Sequence, residues 1–306
     1  WRVVGNLYQM VKLYNLREVD ELIFFDIDAG NKGLIQLSLI DEFADECFVP
    51  LTVGGGVKKM KDIEDLLKVG ADKICINTAS IENIKFIEEA VKRYGSQCIV
   101  ISIDYKLNEN NEFEVFKNSG GKRTGLLLEE YVKRISDIGP GEIILTSIDH
   151  EGVMKGYDIK NILKMNKISS SQIIASGGAG NCEDIYQVIK ETGVKAATAS
   201  SIYHFTETTP LDVKRYLKKT LGFFSSYLKT NNINLYVDND AIITAEIDQA
   251  KAIRTIEEIR FFLAQKYSEI RNKAYYCYIS KRRYKTFVFY SAMKFIIFII
   301  SRIISK

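Results

Sequence analysis

Histidine is almost missing from this chain: His150 and His204 are the only two in 306 residues. Neither belongs to a Cys/His cluster, which excludes a zinc centre, and no metal or cofactor is expected. Disulfide architecture is also absent. Cys47, Cys75, Cys98, Cys182 and Cys277 are odd in number and lack paired spacing. Cys75 and Cys98 sit inside apolar runs, so reduced, buried thiols of a cytoplasmic protein are the expectation. No signal-peptide pattern opens the sequence. Long apolar runs are lacking too. The best, residues 287–304, is broken by Lys294 and Arg302 and falls short of the roughly 20 apolar residues a membrane span needs.

Net charge is small, +3, yet it averages two unlike objects. Residues 251–306 hold 13 Lys+Arg against 3 Asp+Glu, net +10, and the first 250 hold 29 against 36, net −7. A charge step of this size marks a boundary. It divides a domain over residues 1–236 from a basic, partly apolar extension over 237–306. In the extension Ile253, Ile256, Ile259, Phe262 and Leu263 recur at helical spacing, predicting an amphipathic helix over 248–273. Its basic and aromatic residues fit a membrane surface or a nucleic acid and specify neither. No nucleic-acid partner is expected, and membrane contact by the tail stays an open alternative. So does a tail produced by a wrong start, stop or reading frame.

What is present is a repeat. Residues 50–80, PLTVGGGVKKMKDIEDLLKVGADKICINTAS, return as 172–202, QIIASGGAGNCEDIYQVIKETGVKAATASSI. Gly55-Gly56 fall on Gly177-Gly178, Asp62-Ile63 on Asp184-Ile185, and Gly70 on Gly193 after one inserted residue. A duplicated unit of strand, glycine turn, helix and strand is one βαβ module used twice. Each copy ends its strands in groups suited to phosphate. Glycine lets backbone N–H groups approach an anion, and Asn77-Thr78 and Ser200-Ser201 supply short polar donors. Glycines that only make tight turns are the plainer alternative; two matched copies favour a substrate phosphorylated at both ends.

Helix-like and strand-like runs alternate from residue 21 to 220 and give seven strands. Alternation means a parallel sheet covered by helices. Twofold repetition favours a (β/α)8 barrel over an open sheet, with chemistry at the C-terminal strand ends. Since such barrels run to roughly 250 residues, and since a helix comes first, the first strand is expected to be lacking. Residues 233–237 are a candidate to fill that gap. An inactive truncated barrel with two exposed edges is a rival outcome.

At TVGGGVKK, ADKICINTAS, GSQCIVISIDYK, GGKRTGLLLEEYVKR, GEIILTSIDHEGVMKGYD and IIASGGAG the chain closely resembles the cyclase subunit of imidazole glycerol phosphate synthase, over about residues 4–219. The run EVDELIFFDIDA resembles a branch tied to acetamidino modification of surface sugars. The resemblance implies a cytoplasmic cyclase that takes ammonia from a glutaminase partner subunit in a heterodimer. It would convert a bis-phosphorylated ribulosyl formimino substrate to imidazole glycerol phosphate and an aminoimidazole carboxamide ribotide. It implies one phosphate at Gly56, Asn77 and Thr78, and the other at Gly152, Gly178, Ser200 and Ser201. Of the family's two acid–base aspartates, one would lie on the lacking strand. The other is matched to Glu130, one methylene longer, with a solvated helix start as the rival reading of Glu129-Glu130. Asp26 is expected to orient substrate, or else to be a paired structural carboxylate. Glu21, Lys73 and Glu142 match an ammonia gate, or a salt-bridged cluster sealing the barrel bottom.

Overall fold

The computed structural model describes residues 6–27, 29, 35–221, 233–237 and 243–247. Chain contacts divide it into two compact units, Trp1–Leu221 and Gly222–Lys306. That division falls ahead of the boundary expected at 236/237. Within the second unit, Ile233–Val237 (β10) pairs antiparallel with Ile243–Ile247 (β11). Residues 233–237 therefore make a two-stranded sheet of their own rather than filling the main one. The helix expected over 248–273 and the apolar run 287–304 lie outside the described residues.

In the first unit, helix α1 (Leu7–Leu16) leads into β1 (Leu22–Phe25), α2 (Leu37–Ala44), β2 (Leu51–Gly54), α3 (Met60–Lys68) and β3 (Lys73–Ile76). Two helices follow, α4 (Thr78–Glu82) and α5 (Ile84–Tyr94), then β4 (Ile99–Leu107). A hairpin of β5 (Phe113–Lys117) and β6 (Lys122–Leu127) precedes α6 (Leu128–Ile138) and β7 (Glu142–Ser147). The series closes with α7 (Ile159–Ile168), β8 (Gln172–Ser176), α8 (Cys182–Thr192), β9 (Ala196–Ala197), α9 (Ser201–Phe205) and α10 (Pro210–Leu221).

The parallel strands pair in the order β1-β2-β3-β4-β7-β8-β9, and the β5–β6 hairpin hangs antiparallel on β4. Period-two alternation sorts the strand residues into two layers. Ile74, Ile76, Ile99, Ile101, Ile103, Ile143, Leu145 and Ile173 pack outward under the helices. The residues between them, Cys75, Val100, Ile144 and Ile174, form a separate inner cluster joined by Ile23 and Ala196. Burial holds the Cys75 thiol far above its ordinary pKa, as the sequence suggested for an inert thiol.

The layer curls on itself. Lys214 on α10 donates to the Glu18 carbonyl at 2.7 Å and to Asp20 Oδ1 at 2.9 Å, just ahead of β1. Tyr14 on α1 meets His204 on α9 at 3.2 Å. Last and first elements of the series thus touch, which a flat sheet of seven strands at about 4.8 Å spacing forbids. This is a (β/α)8 barrel architecture of the TIM type. Among the described residues, no helix is long and apolar enough to cross a membrane.

Candidate functional site

The repeat seen in the sequence is a repeat in space. In the first copy, Asp62 Oδ2 accepts the backbone N–H groups of Lys58 and Lys59 at 2.9 and 3.0 Å. In the second, Asp184 Oδ2 accepts those of Gly180 and Asn181 at 2.8 and 3.2 Å. Each aspartate thus ties off the start of its helix with the glycine turn held open beside it. Ile63 and Ile185 follow into the core.

Two glycines in these turns could be nothing else. At Gly55 (φ +110°) a methyl group would lie 2.2 Å from the Asp26 carbonyl oxygen, and at Gly178 (φ +117°) 2.1 Å from that of Gly156. Both are places where backbone meets backbone, in conformations that L side chains rarely adopt.

Around the first turn, Gly56 follows β2 and Asn77-Thr78 follow β3. The Asn77 amide donates to the Ser102 carbonyl at 3.0 Å and to Asp104 Oδ2 at 3.3 Å, tying the end of β3 to β4. Around the second turn, Gly156 N–H donates to the Gly178 carbonyl at 2.8 Å, and Tyr157 donates to the Thr198 carbonyl at 2.8 Å. These two bonds pin the loop carrying Gly152 to the ends of β8 and β9, where Gly178, Ser200 and Ser201 stand. Asp26, at the end of β1, is buried and accepts Ala29 N–H at 3.0 Å. All of these groups lie at the C-terminal ends of their strands, the face on which barrel chemistry is done.

Glu130 is placed elsewhere. It stands exposed on the first turn of α6, on the helix layer, while Leu128, Tyr131 and Val132 take the buried face. A second carboxyl at this mouth, bonded to Asn77, is Asp104 on the central strand β4. Burial pushes its pKa up to about 6, opposed by the Ser102 hydroxyl bonded at 3.4 Å and assisted by the charge of Glu151. Glu151 is exposed as a residue, yet partial desolvation holds its carboxyl above the usual range too. Asp104 was legible in principle. In IVISIDYK the isoleucines 99, 101 and 103 face outward, so Val100, Ser102 and Asp104 share the inner face, and that row includes an aspartate.

The opposite, N-terminal rim gathers the other predicted group. Lys73 Nζ sits 2.9 Å from Glu21 and 2.7 Å from Glu142, residues that open β1 and β7 or directly precede them. Burial lowers the lysine's pKa, but the two carboxylates outweigh it and the net shift is upward. Stabilisation from a raised lysine pKa is complete below its unfolded value near 10.4 and fades only as pH rises through the folded one. The cluster is therefore intact at every physiological pH. Lys73→Met leaves two facing carboxylates without their cation. Discounted for the 40% exposure of Glu21, a loss of about 2 kcal/mol is expected in urea unfolding at pH 7. A loss under about 0.5 kcal/mol would show the cluster to be only a solvated surface group.

The pattern of the histidine biosynthesis protein family matches residues 2–209. Over 216 residues the chain is 41% identical to the imidazole glycerol phosphate synthase subunit HisF of Bacillus cereus (strain Q1), covering 70% of this chain and 86% of the relative. The HisF subunit of Dictyoglomus thermophilum is 41% identical over 219 residues, 71% of this chain and 86% of its own. That of Natranaerobius thermophilus is 40% identical over 220 residues, 71% and 87% respectively. Fold and repeat together define a TIM barrel that uses one βαβ module twice. The chain belongs to the histidine biosynthesis protein family, and within it resembles HisF subunits.

Proposed function

We propose that this chain is an ammonia-using cyclase that forms imidazole glycerol phosphate and an aminoimidazole carboxamide ribotide from a bis-phosphorylated ribulosyl formimino substrate. One observation carries the reading. Two copies of the same glycine turn flank a central strand whose inward-facing Asp104 is a desolvated carboxyl. An elongated metabolite with a phosphate at each end spans that arrangement with its middle over Asp104. Gly56, Asn77 and Thr78 hold one phosphate, and Gly152, Gly178, Ser200 and Ser201 the other.

Ring closure needs protons taken from the incoming nitrogen and given to the departing amine. A carboxyl with a pKa of about 6 populates both forms near neutral pH, which suits a group asked to do both. Asp26 stands at the same rim and orients substrate. Ammonia enters from the opposite rim past Glu21, Lys73 and Glu142, and a glutaminase subunit docks on that face. In this role Lys73→Met lowers glutamine-driven turnover more than turnover with added ammonium salts.

The test is direct. Full-length protein supplied with the ribulosyl substrate and an ammonium salt is expected to consume it and release both products. Folded protein that leaves this substrate untouched, or that instead amidinates a nucleotide-linked sugar, overturns the reading.

A further inference from the structure

The tip of the hairpin on β4 reaches Thr78, one of the groups proposed above to hold a phosphate. Its stem is braced: Arg123 Nη2 donates to Glu114 Oε2 at 2.8 Å, Gly125 N–H to Glu114 Oε1 at 2.8 Å, and the Thr124 hydroxyl to the Val115 carbonyl at 2.6 Å. Glu114 is 2% exposed, so this clamp holds the stem in one geometry. Its tip, residues 118–121, is bent into an uncommon shape, with Asn118 at φ +56°, Ser119 at +54° and Gly120 at +79°.

That shape delivers Asn118 onto Thr78. The Thr78 hydroxyl accepts the Asn118 backbone N–H at 3.1 Å and lies 3.2 Å from the Asn118 side-chain oxygen. A hydroxyl has one proton to give. In this arrangement its choices are the Asn118 oxygen and the Asn77 oxygen, also at 3.2 Å. A phosphate oxygen is likewise only an acceptor, and it needs that same proton. Asn118 Oδ1 and a phosphate oxygen cannot both take it, and two acceptors brought together repel.

The surroundings are poised for an anion. Lys117 pairs with Glu82 on α4, the helix that Thr78 begins. The Lys117 hydrogen bond, and then the charges of Lys117, Lys122 and Lys58, draw the exposed Glu82 carboxyl below its ordinary pKa.

We infer that Asn118 is an internal stand-in for the substrate's phosphate: it occupies Thr78 and is displaced when a phosphorylated ligand arrives. Displacement frees the Thr78 proton for the phosphate, and the hairpin tip swings with its lysines still beside the incoming charge. This rests on the assignment of Gly56, Asn77 and Thr78 as a phosphate half-site. It makes the two ends of the barrel unequal, because among the described residues no side chain from another loop bonds to Ser200 or Ser201 in the same way.

The experiment titrates inorganic phosphate into full-length protein, following the Gly56 and Gly178 amide resonances as separate reporters. In wild type, phosphate is expected at both, with the Asn118 amide exchanging on the order of fivefold faster once the Gly56 end fills, the size of one net hydrogen bond. Asn118→Gly removes the competing oxygen and suits a left-handed φ. It is expected to tighten binding at Gly56 by about the same factor and to leave Gly178 unchanged. Binding at Gly56 that is unchanged or weakened in Asn118→Gly overturns the inference while the phosphate sites stand. Phosphate at neither reporter overturns both.

Discussion

Asp104→Asn is expected to lower turnover by about 100- to 10,000-fold, the range for removing a general acid–base group, and at the same time to make the protein more stable at pH 7. The second half follows from the sign of its shift. Asp104 is raised to about 6 in the folded protein, against about 3.9 unfolded. A raised carboxyl favours the folded state in its protonated form. That contribution is whole below the unfolded value and lost as pH rises through the folded one. The native state therefore carries a penalty of roughly 3 kcal/mol at pH 7 that is absent near pH 3, at 1.36 kcal/mol per pKa unit. Asparagine keeps the shape and can still meet Asn77 and Ser102, but has no charge to desolvate. Urea titrations at pH 7 should show a gain of about 2–3 kcal/mol for the variant, shrinking toward zero at pH 4. An active, unstabilised variant would remove Asp104 from the chemistry. Exposed Glu130 supplies the contrast: Glu130→Gln should leave turnover within about twofold and stability within about 0.5 kcal/mol.

The glycine turns give the second large effect, graded by what a methyl group would meet. Gly178→Ala drives a Cβ to 2.1 Å from the Gly156 carbonyl oxygen, which is backbone and cannot step aside. It breaks the Gly156–Gly178 hydrogen bond that positions the Gly152 loop. A cost of roughly 3 kcal/mol or more is expected from strain plus the lost bond, or about 6–12 °C in Tm for a domain of this size. KM for the bis-phosphorylated substrate should rise with it. Gly55→Ala meets the Asp26 carbonyl at 2.2 Å and should behave alike. Gly152→Ala has the same kind of φ, +72°, with nothing within 4 Å, so it should cost only about 1–2 kcal/mol. Equal Tm losses across the three would mean that conformation alone, and not close approach, selected glycine here.

Much of this was legible in the sequence. The two turns, their aspartate-capped helices and the strand alternation are local patterns, each set within a few residues of itself, and duplication showed them twice. Lys73, Glu21 and Glu142 were found as a set through resemblance. Their contact could not be read from spacing, since 52 and 69 residues separate the partners. Glu130 was matched on its neighbours in the chain, and the fold places it exposed on a helix while the buried carboxyl beside Asn77 is Asp104. Residues 233–237 went to a hairpin with 243–247, as a nearby antiparallel partner closes a shorter loop than a distant edge.

The chain by itself determined that one βαβ module is used twice, that glycine and short polar groups end its strands, and that the strands are parallel. Those follow from periodicity and from what a tight turn tolerates, which are properties of adjacent residues. Only the folded barrel decided that Asp104 loses its water while Glu130 keeps it, and that Asn118 comes to rest on Thr78 forty positions away. Desolvation and long-range contact depend on which strand lies beside which, and that is settled only when the sheet forms and curls.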